Sequence, residues 1–301
     1  TKGMELSFTW NDEIKNVAGS PLSYSVGIGI SDNTSEITRY DNPTKSLNET
    51  YYEGMKIGEI WGYETEGFIQ DKTEAAEMAD RQSFISTTWI PGDIKYADLD
   101  GNGKINQGNN RVGDSGDRKI IGNNTPRYNF NINLGGSWKG FDLRLFFQGT
   151  MKRDIWLDSP IFWGYDGMWS SCLNDYHVDN SWSATNTNAY YPVPLFDKRS
   201  KQVQSKYIQN GAFIRLKDVT LSYTIPKTLT SRIGIQQLKV YVSGQNLWEA
   251  TGLYKYLDPD VVGSRRTSTA DNKTVGDLAA DAGGRVYPFT RSYSFGINVT
   301  F

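Results

Sequence analysis

Phe289-Thr290-Arg291-Ser292-Tyr293-Ser294-Phe295-Gly296-Ile297-Asn298-Val299-Thr300-Phe301 is the stretch on which the fold turns. Its odd positions carry Phe289, Tyr293, Phe295, Ile297, Val299 and Phe301. Its even positions carry Thr290, Ser292, Ser294, Gly296, Asn298 and Thr300. Side chains alternate across a strand, so this segment has one apolar and one polar face. A strand that crosses a membrane needs roughly 9–11 residues of this pattern. The segment therefore reads as a membrane-spanning β-strand, and its position as the last strand of a barrel.

Working back along the chain, six more segments repeat the alternation. The first sets Met4, Leu6, Phe8 and Trp10 against Glu5, Ser7, Thr9 and Asn11. The second sets Leu22, Tyr24, Val26, Ile28 and Ile30 against small polar residues and Gly. The third sets Tyr128, Phe130, Ile132, Leu134 and Trp138 against Asn129, Asn131 and Asn133. The fourth sets Phe141, Leu143, Leu145, Phe147 and Met151 against Asp142, Arg144, Gln148 and Lys152, with Phe146 out of step. Val219, Leu221, Tyr223 and Ile225 mark the fifth, and Leu238, Val240 and Val242 the sixth, with Tyr241 on the polar side.

Short connections (11–21, 139–140, 226–236) alternate with long ones (32–126, 152–212, 249–288). Antiparallel strands put alternate connections on opposite sides, so tight turns gather at one end and large loops at the other. That is the layout of an outer-membrane barrel, with short periplasmic turns and long external loops. Trp10, Tyr24, Trp138, Phe141, Tyr223 and Phe301 are expected near the short-turn ends as an aromatic girdle. Bacterial single-chain barrels have even strand numbers, and an open sheet in lipid leaves two unpaired edges. Seven strands thus predict the C-terminal part of a larger barrel, its other strands supplied upstream or by another chain. Thr1, almost directly in a strand, reads as a cut edge.

Composition agrees. The apolar fraction of the 301 residues is 38%, yet aromatics reach 13%, with nine Trp and eighteen Tyr. A barrel accounts for both, because half of each strand faces a polar lumen and rings belt the interfaces. A net charge of −2 gives no footprint for nucleic acid. One cysteine, Cys172, excludes an intrachain disulfide framework.

The long loops carry their own signals. Asp71 followed by Glu74 predicts a capped helix continuing through Ala75, Ala76 and Met78. Asp98-Leu99-Asp100-Gly101-Asn102-Gly103-Lys104-Ile105 follows an EF-hand-type Ca²⁺ loop. Asp98, Asp100 and Asn102 stand at positions 1, 3 and 5, the Lys104 carbonyl at 7, and Asn109 at 12. Asn109 is a poor replacement for a bidentate Glu, and Asp114 or Asp117 would have to supply that carboxylate. Residues 156–191 concentrate rings. Most are expected to pin the loop. Trp163, Tyr165, Trp169 and Trp182, with Trp61 and Tyr63 from the earlier loop, are the candidates for contact with a substrate through stacking.

Catalysis finds little support. His177 is the sole histidine, flanked by Asp175 and Asp179, and is expected to be a solvated loop residue. No nucleophile elbow accompanies it. Asp258-Pro259-Asp260 reads as a turn. No active site is expected.

Several runs, taken together and in order, resemble the C-terminal third of SusC/RagA-type TonB-dependent transporters. They are Gly54 to Gln70, Pro91-Gly92-Asp93-Ile94-Lys95-Tyr96, the Asp98–Ile105 loop, and Asp117-Arg118-Lys119-Ile120-Ile121-Gly122-Asn123. Lys139-Gly140-Phe141-Asp142-Leu143, Phe147-Gln148-Gly149, Phe213-Ile214-Arg215-Leu216-Lys217 and Val242-Ser243-Gly244-Gln245-Asn246-Leu247 complete the set. The resemblance implies a barrel of about 22 strands in the outer membrane of a Bacteroidetes-type bacterium. It implies a SusD-like surface lipoprotein as lid, and TonB acting through an N-terminal region with no counterpart in this sequence. Family substrates are mostly oligosaccharides and in some members peptides. The 106–116 segment is longer than the family's usual loop, and the Trp163–Trp169 region matches none of its motifs.

The expectation is therefore an all-β chain that takes part in energised import, with Asn129, Asn131, Asn133, Arg144, Gln148, Thr220 and Ser222 facing the lumen. No cofactor for activity is expected, with structural Ca²⁺ as the possible ion. The competing reading is a secreted β-rich glycan-binding module with a calcium-stabilised loop, which would bury the apolar face inside a soluble globule.

Overall fold

The computed structural model describes residues 1–165, 171–262 and 287–301. The chain begins with β1 (Lys2–Val17) and β2 (Ser20–Thr34). The first long loop holds β3 (Glu59–Tyr63), β4 (Thr65–Phe68), α1 (Lys72–Arg81), β5 (Ile94–Tyr96) and β6 (Arg118–Asn123). After β7 (Arg127–Trp138) and β8 (Phe141–Lys152), the second long loop holds β9 (Asp154–Ile155), α2 (Pro160–Trp163), α3 (Asp175–Asn180) and β10 (Gln209–Asn210). Then come β11 (Phe213–Thr224), α4 (Lys227–Thr230), β12 (Gln237–Thr251) and β13 (Ser292–Thr300).

All seven alternating segments are strands of one sheet in the order β1-β2-β7-β8-β11-β12-β13. Every pairing is antiparallel. Register carries the two-faced pattern across the sheet. Leu22, Trp138, Phe141, Tyr223, Val240 and Ile297 form one continuous apolar row. Ser23, Ser137, Asp142, Ser222, Tyr241 and Gly296 form the polar row beside it. Tyr241 fits on that face because its neighbour is Gly296, where a Cβ would overlap the phenol ring.

The apolar face is open. Leu6 is 65% exposed, Phe295 71% and Ile297 58%. A soluble module would have buried these residues, at about 25 cal/mol per Å². This face instead has the character of a lipid-facing surface, and the globular-module reading does not survive it.

Three sequence expectations change. Residues 11–21 are not a loop: β1 and β2 stay paired to Val17–Ser20, past an irregularity after Ile14. The turn is Ala18-Gly19, with φ of 49° and 85°. Lys139-Gly140 repeats it at 48° and 85°, and positive φ at both residues is the type I′ hairpin turn. Asp12, Glu13, Lys15 and Asn16 hide the strand by interrupting its apolar face, which keeps Ile14 opposite Leu22. Trp10 consequently pairs with Val26, well above the turn, and is not at its end. Phe289 lies outside the last strand and turns back toward β11.

The third change is a bulge. Leu216 pairs with Phe147 and Asp218 with Phe146, leaving Lys217 extra. One inserted residue flips every side chain beyond it to the other face. By strict alternation from Val219, Arg215 would face lipid. The bulge pairs it instead with Gln148 on the polar face.

The hydrophobic core lies among the loops, not in the sheet. Ile60, Tyr63, Phe68, Ile69, Met78, Ile94, Tyr96, Ile105, Trp156, Phe162, Trp163, Tyr207 and Tyr254 are among its buried members. α1 docks there through Ala75 and Met78. Asp71 caps its N-terminus by accepting from the Thr73 and Glu74 amides, while Glu74 reaches back to the Gln70 amide at 2.7 Å. Buried Gln82, the residue after α1, holds the edge of β5 by donating to the Ile94 carbonyl at 3.1 Å and accepting from the Tyr96 amide at 2.6 Å.

Candidate functional site: an outer-loop cavity above a polar inner face

The loop core gathers around Phe162. Its ring meets Trp163 at 5.1 Å, Tyr254 at 5.5 Å, Tyr191 at 5.6 Å and Tyr207 at 6.2 Å, all edge-on. Aromatic rings prefer such contacts because a positive edge meets a negative face. Ser159 caps α2 and sets Phe162 in place by accepting from the Ile161 amide at 3.2 Å. A ring of this size buries roughly 150–250 Å², about 4–6 kcal/mol of apolar transfer. Trp163 is 4% exposed, with its indole N–H donating to the Leu157 carbonyl at 3.0 Å. It is a core residue here, sealed from any ligand.

His177 is also buried, contrary to the solvated expectation. Its Nδ1 accepts from the Asn174 amide at 3.3 Å, so Nε2 carries the proton and donates to the Phe162 carbonyl at 3.0 Å. Burial pushes the imidazole below its ordinary value, against the Phe162 hydrogen bond. It is therefore neutral at pH 7 and serves as a structural link from α3 to α2. Residue spacing carried no signal of this, because its partners are distant loop atoms.

The other proposed rings divide. Trp182 wedges against Gly92, whose φ of +91° and missing Cβ admit the indole. Tyr165 is half-buried and packs beside Phe196 at 6.2 Å. Trp169 lies outside the described residues. Trp61 and Tyr63, on β3, line a cavity of about 190 Å³ that also takes in Tyr52, Gln107, Arg118 and Asn124. Its frame is well fixed. β3 pairs with β6, and the Tyr63 amide donates to the Val203 carbonyl at 2.8 Å. The Trp61 indole donates to the Tyr52 hydroxyl at 3.3 Å. Tyr52 in turn donates to Glu59, and Glu59 also accepts from the Lys56 amide at 3.0 Å. Burial, then the Glu59 carboxylate, raises the Tyr52 phenol far above its ordinary range.

The Pro91–Tyr96 run is a strut between loops. Asp93, wholly buried, accepts from the Ile90 amide at 2.9 Å and the Ser200 hydroxyl at 2.8 Å, and pairs with Arg199 at 2.8 Å. Burial raises its carboxyl despite these partners.

At the acidic loop, the structure brings one oxygen each of Asp98, Asp100 and Asp117 within 4.8 Å of one another. Of the two later carboxylates, Asp117 is the one in this cluster. Asp114 lies apart, taking the Asn109 side-chain amide at 2.5 Å. Asp98 accepts from the Gly101 and Gly103 amides at 2.7 and 2.8 Å. The Gly103 bond leads in holding its carboxyl below the usual range. The Asn102 side-chain oxygen accepts from the Lys104 amide at 2.8 Å. The Lys104 ammonium turns away to Asp80, so it does not neutralise the cluster.

On the inner face, Asp142 accepts from the Ser137 hydroxyl at 2.6 Å and the Lys239 ammonium at 3.0 Å. Arg144, Thr220 and Ser222 line a concave patch there. Asn131 accepts from the Asn133 amide at 3.2 Å, and Asn129 from the Thr150 hydroxyl at 2.8 Å. Gln148 pairs with Arg215 across β8 and β11.

Arg215 is the functional-site residue that alternation missed. At 2% exposure it contacts Glu249, Asp258 at 2.6 Å and Asp260 at 3.4 Å. Lys217, on the bulge, also reaches Asp260. Phe289 covers the group, its ring 5.1 Å from the Arg215 guanidinium and 4.1 Å from the Lys217 ammonium. The cluster fastens the loop after β12 to the inner wall. Two carboxylates flanking a proline, Asp258 and Asp260, are the signal that could have pointed to it.

An antiparallel sheet apolar outside and polar inside, topped by folded loops on one side, defines a segment of an outer-membrane β-barrel. By sequence the chain's relatives are TonB-dependent receptors, and by fold it matches a segment of a SusC/RagA-type transporter. It is 33% identical over 249 residues to TonB-dependent receptor P3 of Formosa agariphila, covering 83% of this chain and 22% of that protein. To TonB-dependent receptor P26 of the same organism it is 25% identical over 236 residues, covering 77% and 21%. The chain thus spans about a fifth of the curated relatives it matches. Among solved structures it superposes on the RagAB peptide transporter with a TM-score of 0.66, at 19% identity, covering 99% of this chain and 29% of that one. The RagAB peptide importer in its 'closed-closed' state gives 0.64, with the same identity and coverage. No family model matches the sequence. The relatives are receptors and transporters, not enzymes, and they imply the outer membrane as location.

Proposed function

We propose that the chain forms part of a TonB-dependent importer of oligosaccharides in the outer membrane of a Bacteroidetes-type bacterium. The observation that carries this is the pairing of a polar, concave inner sheet face with a rigid loop assembly at one end of the strands. A substrate caught at the loops has a hydrophilic wall to follow inward. Trp61 on the cavity wall, beside the amides of Gln107 and Asn124, is the kind of surface on which a sugar ring stacks and hydrogen-bonds. Peptide import is the second reading, favoured by the likeness to the RagAB transporter fold. The missing strands, the plug and the TonB-contacting region belong to the rest of the barrel. A SusD-like surface lipoprotein, as the RagAB likeness supports, would close over the loops.

We also propose structural Ca²⁺ in the acidic loop, held by Asp98, Asp100, Asn102, the Lys104 carbonyl and Asp117. The donor set fits: hard oxygens, three of them from carboxylates. The ion would hold the 98–117 loop against α1 and take no part in transport chemistry.

Uptake of labelled oligosaccharides and oligopeptides by cells, with and without TonB, tests the import reading. TonB-dependent uptake of oligosaccharide is expected. Uptake indifferent to TonB would overturn energised import, and TonB-dependent uptake of peptide alone would replace the sugar with a peptide.

A further inference from the structure

We propose that the outer-loop cavity behind Trp61 is a binding site for an organic carboxylate, with Arg118 and Tyr63 as its anchors. Arg118 opens β6 and lines the cavity. One of its amino groups donates to the Asn110 side chain. Its Nε is buried and has no hydrogen-bond partner among the described residues. No carboxylate of the described residues pairs with it, in contrast to the Arg199, Arg127 and Arg215 clusters. Burial draws its basicity down, opposed by the Tyr63 phenol beside it. The charge is thus partly desolvated without a counter-ion, and a bound anion would supply one.

Tyr63 is the independent observation. It is 2% exposed, and its buried hydroxyl meets no partner within strict hydrogen-bond geometry among the described residues. Gln107, another wall residue, is its polar neighbour and Arg118 its charged one. A buried hydroxyl and a buried guanidinium N–H, on two residues that line one cavity, place two donors beside the same space. The acids on the cavity wall do not fill it. Glu59 is occupied by the Tyr52 hydroxyl and the Lys56 amide, and Glu49 is exposed.

A carboxylate uses this arrangement better than a neutral hydroxyl. It accepts from both donors at once and neutralises the guanidinium. Trp61 and Tyr52 supply apolar wall for the group that bears it. Carboxylates come from acidic sugars and from peptide C-termini alike, and the site recognises what the two share. Its role as a filter on what enters rests on the import reading, but binding does not require transport.

Binding is measured on the purified full-length receptor in detergent, without TonB. Glucuronate is compared with glucose and triglycine with triglycine amide, by calorimetry and by Trp fluorescence, with Trp61→Phe identifying the reporter. At least one carboxylate is expected to bind about tenfold or more tightly than its neutral twin, the discrimination of a charged hydrogen bond. Arg118→Gln and Tyr63→Phe are each expected to erase most of that preference. Tyr63→Phe keeps the ring and its packing, so it serves where Arg118→Gln does not fold. Preference for glucuronate alone assigns an acidic sugar, and preference for triglycine alone assigns a peptide end. Equal affinity within both pairs, no binding by any of the four, or a preference that survives Tyr63→Phe and any folded Arg118 variant would overturn the site. Such a failure leaves TonB-dependent uptake untouched.

Discussion

The Arg215 guanidinium lies 2.6 Å from the Asp258 carboxylate, joining the inner wall of β11 to the loop that follows β12. Both side chains are nearly sealed, at 2% and 6% exposure. Removing one member of such a buried pair strands the other. Arg215→Met is expected to cost about 3–5 kcal/mol locally. Hydrogen exchange across residues 253–262 should rise, while the Ala18-Gly19 hairpin stays protected.

The same cluster sets an acid limit. Burial alone would raise the Asp258 carboxyl, but hydrogen bonds from Arg215 and the Phe289 amide outweigh it and hold it below the ordinary value. A depressed folded pKa stabilises above the unfolded value of about 3.9, and that stabilisation is lost as pH falls through the folded value. The Asp258 contribution to protease resistance of the 253–262 segment, read as the difference between wild type and Asp258→Asn, should stay flat from pH 7 to about pH 4 and fall below it.

His177 predicts a second step on the same acid side, beginning at higher pH. Its lowered pKa means that the unfolded chain binds a proton first, so stability falls as pH drops below about 6.5 and levels off below the folded value. Near-ultraviolet circular dichroism of the aromatic cluster should lose intensity in that window. His177→Gln should flatten the dependence, at some cost in baseline stability.

Trp163 and Trp61 separate core from site. Trp163→Ala opens the aromatic cluster and is expected to cost about 3–5 kcal/mol. Trp61→Ala, on the cavity wall, should lower the melting temperature less and weaken ligand binding more. Thermal unfolding and calorimetry on the same two variants distinguish them.

Calcium is tested at Asp117. Its two oxygens accept from the Leu99 and Asn106 amides at 2.8 Å each, so Asp117→Asn retains the shape but removes the charge. Calcium titration of the purified receptor should show a site that chelator empties and that this variant lacks. Chelation should increase hydrogen exchange in 98–117. A wild-type titration without heat and an unchanged exchange pattern would dismiss the ion.

Strands were readable where lipid and lumen impose opposite demands on successive residues. β7, β8 and the Lys139-Gly140 turn between them follow from alternation alone. Alternation failed where that two-solvent contrast fades: Asp12 to Asn16 continue β1 with Ile14 as their one apolar residue. It failed again at Lys217, since one inserted residue reverses the side on which Arg215 emerges and leaves composition unchanged. The loop core was unreadable for a different reason. Phe162, Tyr207 and Tyr254 meet through contacts far apart in sequence, with no period to announce them. Exposure of Trp163 could not be judged from its type, because stacking on a ligand and stacking on Phe162 call for the same ring.

The loop assembly owns its buried aromatic centre and borrows none of it from the membrane ribbon. Substitutions on the two parts therefore answer to different judges, one to water and one to bilayer. A lineage could retool the cavity around Trp61 for a new cargo while the lipid-facing side of the wall beneath it stayed as it was.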